Sequence, residues 1–243
     1  MSVVSVVFGL KSPRREIRLK GGFTTNILYE CDEFLLAEKP AGLPVHETKD
    51  PNRKDFTRLL AGYLNFPELR TANRLDLGTS GIVLLGKTPD KNKEIDSLLM
   101  NAEKEYIFLC SGVPDWKEKR FECFLKDGNK EVQMVWSGGK KAITEFTILS
   151  QHPEKKCSFG LAKILTGRRH QIRVMLRELG HPVLGDQVYS NSKTETEEKR
   201  MYLHSFRLCF TDFQGQKQWV ETEIPKEFLD RVGKPLSVPN KTE

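Results

Sequence analysis

Short runs of β-branched, aromatic and aliphatic residues recur along most of this chain, and they constrain its fold more than any other feature. We predict strands at 34–37, 82–85, 106–110, 132–136, 142–149, 159–165, 203–210 and 219–224. In 203–210, His204, Phe206 and Phe210 fall on one face, because alternate strand residues point to the same side. Such alternation favours an α+β fold with a mixed, mainly antiparallel sheet and flanking helices over a doubly wound parallel sheet.

Three segments have the apolar spacing of amphipathic helices, namely 55–64, 91–101 and 169–179. In the third, apolar residues form one stripe: Ile172, Met175, Leu176 and Leu179. His170, Arg173 and Arg177 fall within about 60° of one another on the opposite side. For an arbitrary helix, such a basic face is a solvated surface, so the surrounding sequence has to decide its role.

The amino-acid composition is typical of a globular protein. Of the 243 residues, 38% are hydrophobic and 30% are charged, which suffices for a sizeable core, and no apolar run is long enough to span a bilayer. The net charge of +6 and a pI near 9.0 are compatible with a polyanionic partner. The excess is concentrated between Lys163 and Arg177, where five cations and no acidic residue occur.

Cysteine usage and the N-terminus bear on the compartment. The five cysteines are odd in number and never spaced as Cys-x-x-Cys, so neither a disulfide framework nor a zinc ribbon is indicated. We therefore expect a cytoplasmic location. The apolar stretch 1–10 lacks the basic start and the cleavage site of a signal peptide, and we interpret it as an extra strand or arm.

Two polar clusters carry residues suited to chemistry. The first is a glycine-flanked loop before the predicted strand at 82–85, with Arg74 and Asp76; a carboxylate so placed is a candidate nucleophile. Taken alone, such an Arg-x-Asp pair is more often a structural ion pair. The second cluster, 166–173, carries three arginines and a histidine, with Gly167 giving the backbone freedom to turn.

These clusters read Asn-Arg-Leu-Asp-Leu-Gly-Thr-Ser-Gly at 73–81 and Thr-Gly-Arg-Arg-His-Gln-Ile-Arg at 166–173. Together they resemble the signature motifs of the RluA-type pseudouridine synthases. Further similar motifs follow the family's order: Lys-Pro-x-Gly-x-x-Val-His at 39–46, Lys-x-Tyr at 104–106, Gly-His-Pro-x-x-Gly-Asp at 180–186 and Leu-His-Ser-x-x-Leu at 203–208. The resemblance covers roughly residues 27 to 230.

The resemblance implies a sheet split by a central active-site cleft, the pseudouridine synthase fold. It also implies an enzyme that isomerises a uridine in structured rRNA or tRNA to pseudouridine without a cofactor or a metal. We expect an N-terminal arm over 1–26, a catalytic domain over 27–232 and a flexible tail over 233–243. Segment 191–200 is polar and rich in both charges, which is typical of a surface loop, and we expect a monomer.

The family match also implies roles for single residues. Asp76 is the essential aspartate, acting either as a nucleophile or by taking a ribose proton, and Arg173 is its guanidinium partner, capable of a bidentate contact. Tyr106 stacks on uracil and handles the proton at C5. Arg74 takes the place of the flipped uridine. The remaining candidates contact phosphates: Lys104, Arg168, Arg169 and His170.

Several alternatives stay open at the level of sequence. His170 is equally well interpreted as a structural hydrogen-bonding residue. The family's histidine before Arg-Leu-Asp is Asn73 here, which leaves room for altered support of the loop. A catalytically inactive RNA-binding or ribosome-assembly protein is the second functional reading. A hydrolase that uses Asp76 would need a water-activating base or metal, for which the sequence shows no pattern.

Overall fold

Strands account for most of the regular structure in the computed structural model, which describes residues 15–47, 54–129, 131–190 and 198–239. Within these ranges the strands are β1 (Arg15–Arg18), β2 (Thr24–Glu30), β3 (Phe34–Lys39), β4 (Arg70–Thr71), β5 (Ser80–Gly86), β6 (Glu103–Ser111), β7 (Glu118–Asp127), β8 (Val132–Val135), β9 (Lys140–His152), β10 (Cys157–Ile164), β11 (Leu203–Thr211) and β12 (Lys217–Glu221). Every predicted strand is present. β1, β2, β4 and β7 are additional, and β7 escapes sequence patterning because six of its ten residues are charged.

The described strands form one sheet in the order β1-β2-β3-β5-β11-β6-β10-β9-β7-β8, with β12 also pairing with β11 and β4 with β5. Among them, β5 and β11 are the single parallel pair, with His204 opposite Ser80 and Ser205 opposite Gly81. All other registered pairs are antiparallel. The sheet is therefore mixed and mainly antiparallel, which confirms the predicted α+β class.

The described helices are α1 (Phe56–Leu64), α2 (Asn92–Asn101), α3 (Gln171–Glu178) and α4 (Lys226–Val232), of which α4 is not among those predicted. Helix α1 begins where the Asp55 carboxylate accepts the Arg58 N–H at 3.0 Å, and it ends at Asn65 in a left-handed conformation. Helices α1 and α2 cover opposite faces of β3 and β5. Both strands are thus buried on two sides, which explains why their sequences are continuously apolar.

Helix α3 differs from its prediction. The sequence indicated an apolar stripe facing a basic side, yet all residues from Gln171 to Leu176 are buried, including Arg173. His170 lies outside the helix, with a φ of 54° in the left-handed region. The basic side of α3 is therefore an interior surface, and Arg173 is buried because it meets two carboxylates there.

The ends of the described chain join the same body. β1 and the start of β2 lie within the predicted arm and pair with each other in the sheet. Within 233–239, Leu236 and Val238 pack against a core cluster that includes Phe228 of α4. Residues 1–14, 191–197 and 240–243, which hold the rest of the predicted arm, loop and tail, lie outside the described residues. Over the described ranges, no helix is long and apolar enough to cross a membrane.

Candidate active site

Asp76 lies on the loop between β4 and β5, and Asn73 fastens this loop to β5. The Asn73 side chain donates to the Ile82 carbonyl at 3.3 Å and accepts the Leu84 N–H at 2.7 Å. A turn closes after Asp76, where the Thr79 N–H donates to the Asp76 carbonyl at 3.1 Å. The loop that carries Asp76 is therefore held rigidly against a fully buried strand.

Arg173 joins Asp76 to a second carboxylate. Its Nη1 donates to Asp76 Oδ2 at 2.7 Å, while its Nε and Nη2 donate to Asp186 Oδ2 and Oδ1 at 2.6 and 2.8 Å. The predicted Asp76 partner is correctly placed. The bidentate contact of which Arg173 is capable is made with Asp186 instead, through Nε and Nη2, and Asp76 accepts a single bond from Nη1.

Asp186 is a fully buried anion with several donors. Its Oδ1 also accepts the N–H groups of Val188 and Tyr189, at 2.9 and 3.1 Å. Burial would raise the pKa of Asp186, but the Arg173 guanidinium and these N–H groups hold it below the usual value. Burial would likewise lower the pKa of Arg173, but Asp186 and Asp76 raise it above its usual value. Arg173 is therefore a permanent cation.

His170 lies near the carboxylate oxygen of Asp76 that Arg173 does not contact. Its Nε2 lies 3.6 Å from Asp76 Oδ1, and its Nδ1 lies 2.9 Å from the Tyr189 hydroxyl. The Tyr189 hydroxyl also accepts the Val132 N–H at 2.6 Å, and the Tyr189 ring lies under the Arg173 guanidinium at 5.0 Å. Burial lowers the pKa of His170. These contacts support the structural reading of His170, as a group that shapes the surroundings of Asp76.

Tyr106 lies on β6, beside the parallel pair, with Ser205 opposite it on β11. Its ring packs against two core clusters, one that includes α1 and one that includes α3. Burial raises the pKa of Tyr106 to about 12; a hydrogen bond with Ser205 opposes this, and the charge of Asp76 adds to it. Tyr106 is half-buried within electrostatic reach of Asp76, so Asp76, Tyr106 and Arg173 share one cleft.

Lys39 lies in a quoted sequence motif, but no role was predicted for it. Its side chain supports the loop that carries Asp76. Its buried Nζ donates to the carbonyls of Pro40 and Leu43, both at 2.8 Å, and more weakly to that of Leu77 at 3.4 Å. Burial lowers the pKa of Lys39 to about 7, the charge of Arg200 adds to this, and that of Asp76 opposes it. The backbone next to Asp76 is thus bonded to a buried amine.

Arg200 belongs to the segment that the sequence indicated as a surface loop, and for this residue the prediction is wrong. Its side chain is 9% exposed, and its Nη2 donates to Ser80 Oγ at 2.5 Å. Ser80 lies 2.6 Å from His204 Nδ1, and His204 Nε2 lies 2.7 Å from Thr222 Oγ1. Both ring nitrogens of His204 thus have a hydroxyl partner.

The other predicted RNA-contacting residues differ in exposure and position. Arg74 is exposed. Lys104 is half-buried; its Nζ donates to the Ala102 carbonyl at 2.8 Å, and burial lowers its pKa. Arg168 Nε donates to the Lys141 carbonyl, and Arg169 Nη1 donates to the Gly128 carbonyl, both at 2.9 Å. The structure does not bring Arg168 and Arg169 to Asp76 but turns them towards the β7, β8 and β9 end of the sheet.

Sequence reasoning missed the supporting residues of this site. Asp186 and Lys39 stood in the quoted motifs, so the motif match was an available signal for both. Tyr189 and Arg200 carried no motif, and their roles depend on contacts with residues far away in the chain. Within the described ranges, no cluster of three histidine, cysteine or acidic residues is arranged to hold a metal ion.

The fold is that of solved pseudouridine synthases. Human RNA pseudouridylate synthase domain containing 4 matches with a TM-score of 0.71 at 21% identity, over 88% of this chain and 94% of that chain. Human RNA pseudouridylate synthase domain containing 1 matches with a TM-score of 0.66 at 25% identity, over 81% and 82% of the two chains. The predicted fold class is thereby confirmed.

Sequence comparisons indicate the same family as the structural matches. Residues 33–178 match the family model described as RNA pseudouridylate synthase. The dual-specificity RNA pseudouridine synthase RluA of Yersinia pestis is 30% identical over 193 residues, 76% of this chain and 91% of that protein. The mitochondrial tRNA pseudouridine(32) synthase of Saccharomyces cerevisiae is 37% identical over 175 residues, 69% of this chain. The chain spans only 37% of the length of this yeast relative.

Fold and motifs together define an RNA-modifying isomerase. The chain belongs to the RNA pseudouridylate synthase family, in its RluA-type branch. The family resemblance found in the sequence motifs is thus confirmed.

Proposed function

We propose that this protein converts a specific uridine of a structured rRNA or tRNA to pseudouridine, with Asp76 as the essential residue. The observation that supports this proposal best is the Asp76–Arg173–Asp186 chain of ion pairs at the parallel strand junction. A buried charge is costly unless it is paired, and here the pairing holds a half-buried carboxylate at a cleft. A protein that only binds RNA gains nothing from an anion so placed, because RNA phosphates repel it.

Asp76 is the group that reacts with the nucleoside. Attack on C1′ of the ribose and removal of a ribose proton both require the carboxylate, and Arg173 stabilises its negative charge by a short ion pair. Because Arg173 itself is fixed by two bonds to Asp186, the orientation of Asp76 is set before RNA binds. Asp186 is in this sense a positioning residue.

Tyr106 is proposed to lie against the uracil ring and to act on the proton at C5. With a pKa of about 12, its hydroxyl is protonated near neutral pH and donates a hydrogen bond, so it accepts a proton only if it passes its own proton on. Ser205 is a hydrogen-bonding neighbour of this hydroxyl. Packing of the ring against two core clusters holds it in place for stacking.

The rim residues are proposed to bind the RNA around the target. Arg74 is exposed two residues before Asp76, where it can fill the space left by a flipped uridine. Lys104, Arg168 and Arg169 contact phosphates, which positions the RNA without reading its sequence. His170, which we also include among the RNA-binding candidates, acts mainly by packing beside Asp76.

The relatives' names support structured RNA as the substrate, since they describe one tRNA enzyme and one enzyme of dual specificity. Flipping a base costs a few kcal/mol and costs least in a loop, so we propose a uridine in a single-stranded loop. We further propose that the protein is a monomer located in the cytoplasm. All five cysteines are free thiols, which fits a reducing compartment.

The proposal is tested by pseudouridine maps of total RNA from four strains: one with the intact gene, one without it, one with Asp76→Asn and one with Asp90→Asn. Asp90 is an exposed carboxylate on the turn before α2 and serves as the matched control. We expect one or more sites to vanish in the deletion and Asp76→Asn strains and to persist with Asp90→Asn. Identical maps in all four strains would favour the inactive RNA-binding alternative.

A further inference from the structure

The turn that leads to β9 from β8, the edge strand of the β7–β8 hairpin, exposes one large aromatic side chain. Trp136 follows β8 directly and is 95% exposed, the highest value among the large hydrophobic residues of the described chain. Tryptophan is normally buried for most of its area, so a fully solvated ring is unfavourable unless a partner covers it. The position of Trp136 at the end of β8, an edge strand of the described sheet, leaves its ring open to solvent.

Two cations lie close to this turn. Lys140 is exposed at the start of β9. Arg168 lies beside it, because its Nε donates to the carbonyl of Lys141 at 2.9 Å. These two cations also line a small pocket together with Arg169, Asp127 and Gly167. We call Trp136, Lys140 and Arg168 the hairpin platform. An aromatic ring among cations is the combination that binds single-stranded nucleic acid, through base stacking and phosphate contacts.

The hairpin platform is connected to the catalytic cleft. Trp136 follows the last residue of β8, and Val132 is the first residue of this strand. The Val132 N–H donates to the Tyr189 hydroxyl at 2.6 Å. The same hydroxyl bonds His170, which lies 3.6 Å from Asp76. Trp136 lies four positions after Val132, a distance of about 14 Å at the usual rise of an extended chain. That corresponds to about four stacked nucleotides along one strand.

We propose that Trp136 stacks on an unpaired base of the RNA a few nucleotides from the target uridine, while Lys140 and Arg168 bind the neighbouring phosphates. This inference rests on the proposed function, because it assumes that the target lies at Asp76. The surrounding cations favour RNA over a second copy of this basic chain, whose net charge is +6. An unpaired base fits better than a duplex, in which both faces of each base are already stacked.

The test uses fluorescence polarisation with a labelled stem-loop RNA whose loop contains uridines, and with a blunt duplex of equal length. All variants carry Asp76→Asn, so that turnover does not affect binding. We expect Trp136→Ala to weaken stem-loop binding about tenfold and Trp136→Phe by less than about threefold. Duplex binding should change less than about twofold in both variants, because the loss concerns base stacking alone.

Two further variants sharpen the test. Lys140→Gln should make the slope of log Kobs against log salt shallower by about 0.7, as expected for one lost phosphate contact on a single strand. Trp219→Ala is the matched control, because Trp219 is 39% exposed and carries Lys217 over its ring, as a second aromatic beside a cation. It lies on β12, about 29 Å from β8 across six strand spacings, and its loss should leave stem-loop affinity unchanged.

The outcomes separate this inference from the proposed function. Equal stem-loop affinity of Trp136→Ala and its parent would refute the hairpin platform, as would equal losses on stem-loop and duplex. A Trp136-dependent change of mass in light scattering without a change in RNA affinity would also refute it, in favour of an interface between copies. If no pseudouridine forms with Asp76 intact but Trp136-dependent binding persists, the proposed function fails and the hairpin platform stands.

Discussion

At the scale of single residues, the site depends on how one guanidinium is shared. Arg173 has five N–H donors, and three of them are bonded to two carboxylates that come from distant parts of the chain. Asp186 takes the geometrically superior bidentate contact, whereas Asp76 receives a single bond and stays half-exposed. This division leaves one oxygen of Asp76 available for the nucleoside while its charge remains paired.

Replacing Asp186 with asparagine should therefore harm both stability and catalysis. The buried Arg173 would lose its principal counter-charge, which costs about 3–5 kcal/mol of unfolding free energy, and the misplaced guanidinium would no longer hold Asp76. We expect kcat to fall about 100-fold with little change in KM, since the effect acts on the geometry of the reacting group. Denaturant unfolding and single-turnover assays measure the two effects.

The matched control for Asp186→Asn is Asp127→Asn. Asp127 is an exposed carboxylate that lies 3.6 Å from Arg169, and surface pairs of this kind contribute about 0–1 kcal/mol. If Asp186→Asn and Asp127→Asn lower the free energy of unfolding equally, the burial of the Arg173–Asp186 pair does not add to stability. Unchanged kcat in a folded Asp186→Asn protein would contradict the positioning role of Asp186.

A second residue, His204, should make stability depend on pH. Burial lowers its pKa to about 3, with Arg200 and Lys39 adding to the effect, against an ordinary value of 6.5. Between these values the unfolded chain binds a proton that the folded chain does not, so stability is lost as pH falls from about 6.5 towards 3. The lost contribution is of the order of 5 kcal/mol, since each pKa unit corresponds to about 1.4 kcal/mol.

Unfolding free energies measured from pH 8 to pH 4 in the wild type and in His204→Asn test this dependence. His204→Asn should be less stable at neutral pH, because it breaks the bonds to Ser80 and Thr222, but its stability should fall less steeply below pH 6.5. Above pH 7 the two curves should run parallel. Equal slopes below pH 6 would show that His204 does not titrate as argued.

At the scale of elements, the Asp76 loop shows what a sequence can and cannot predict. The motif located the loop, and a continuous apolar run located β5 behind it. The role of Asn73 follows only from the structure, where its amide both donates to and accepts from β5. Periodicity failed for Arg173 on α3, because pairing with two carboxylates lets this cation be buried. Helical spacing does not show such pairing, although Asp186 stood in a quoted motif.

The parallel contact of β5 with β11 depends on a glycine. Gly81 has a φ of +109°, and a Cβ there would lie 2.2 Å from the carbonyl oxygen of Ser205. We expect Gly81→Ala to cost more than about 3 kcal/mol of unfolding free energy, because a backbone atom of β11 would have to move. Thermal unfolding and the yield of folded protein measure the loss.

Gly215→Ala is the control for Gly81→Ala. Gly215 has a φ of +78° but open space around its Cα, so an added methyl group brings only the strain of the left-handed conformation, about 1–2 kcal/mol. A comparable loss in both variants would mean that the close approach of β11 is unimportant. Loss of activity with full stability in Gly81→Ala would instead locate the effect at the neighbouring Ser205 and Tyr106.

At the scale of the whole molecule, the sheet brings four separate motifs to one junction. Lys39 ends β3, Ser80 begins β5, Tyr106 lies on β6 and His204 lies on β11, and these strands are neighbours in the order β3-β5-β11-β6. The sequence predicted that such strands exist and which motifs they carry. Their order could not be predicted from patterning, because β5 and β11 are far apart in the chain.

The fold also changes how strongly the basic segment 163–177 can attract RNA. The sequence shows five cations and no acid between Lys163 and Arg177. In the structure, four of these cations have carboxylate neighbours: Lys163 with Glu103, Arg169 with Asp127, Arg173 with Asp76 and Asp186, and Arg177 with the adjacent Glu178. The basic segment is therefore largely neutralised, and it attracts RNA less strongly than its composition indicates.

The salt dependence of RNA binding should reflect this neutralisation. If Arg74, Lys140, Arg168 and Arg169 contact phosphates, about four counterions are displaced, and log Kobs should fall with log salt with a slope near −3 for a single-stranded loop. Affinities of the Asp76→Asn protein for the stem-loop RNA at several salt concentrations give this slope. A slope of about −6 or steeper would contradict the contact set, because it would require about eight phosphate contacts instead of four. Arg74→Gln should make the slope shallower by about 0.7, whereas Lys163→Gln, which removes the partner of Glu103, should leave it unchanged.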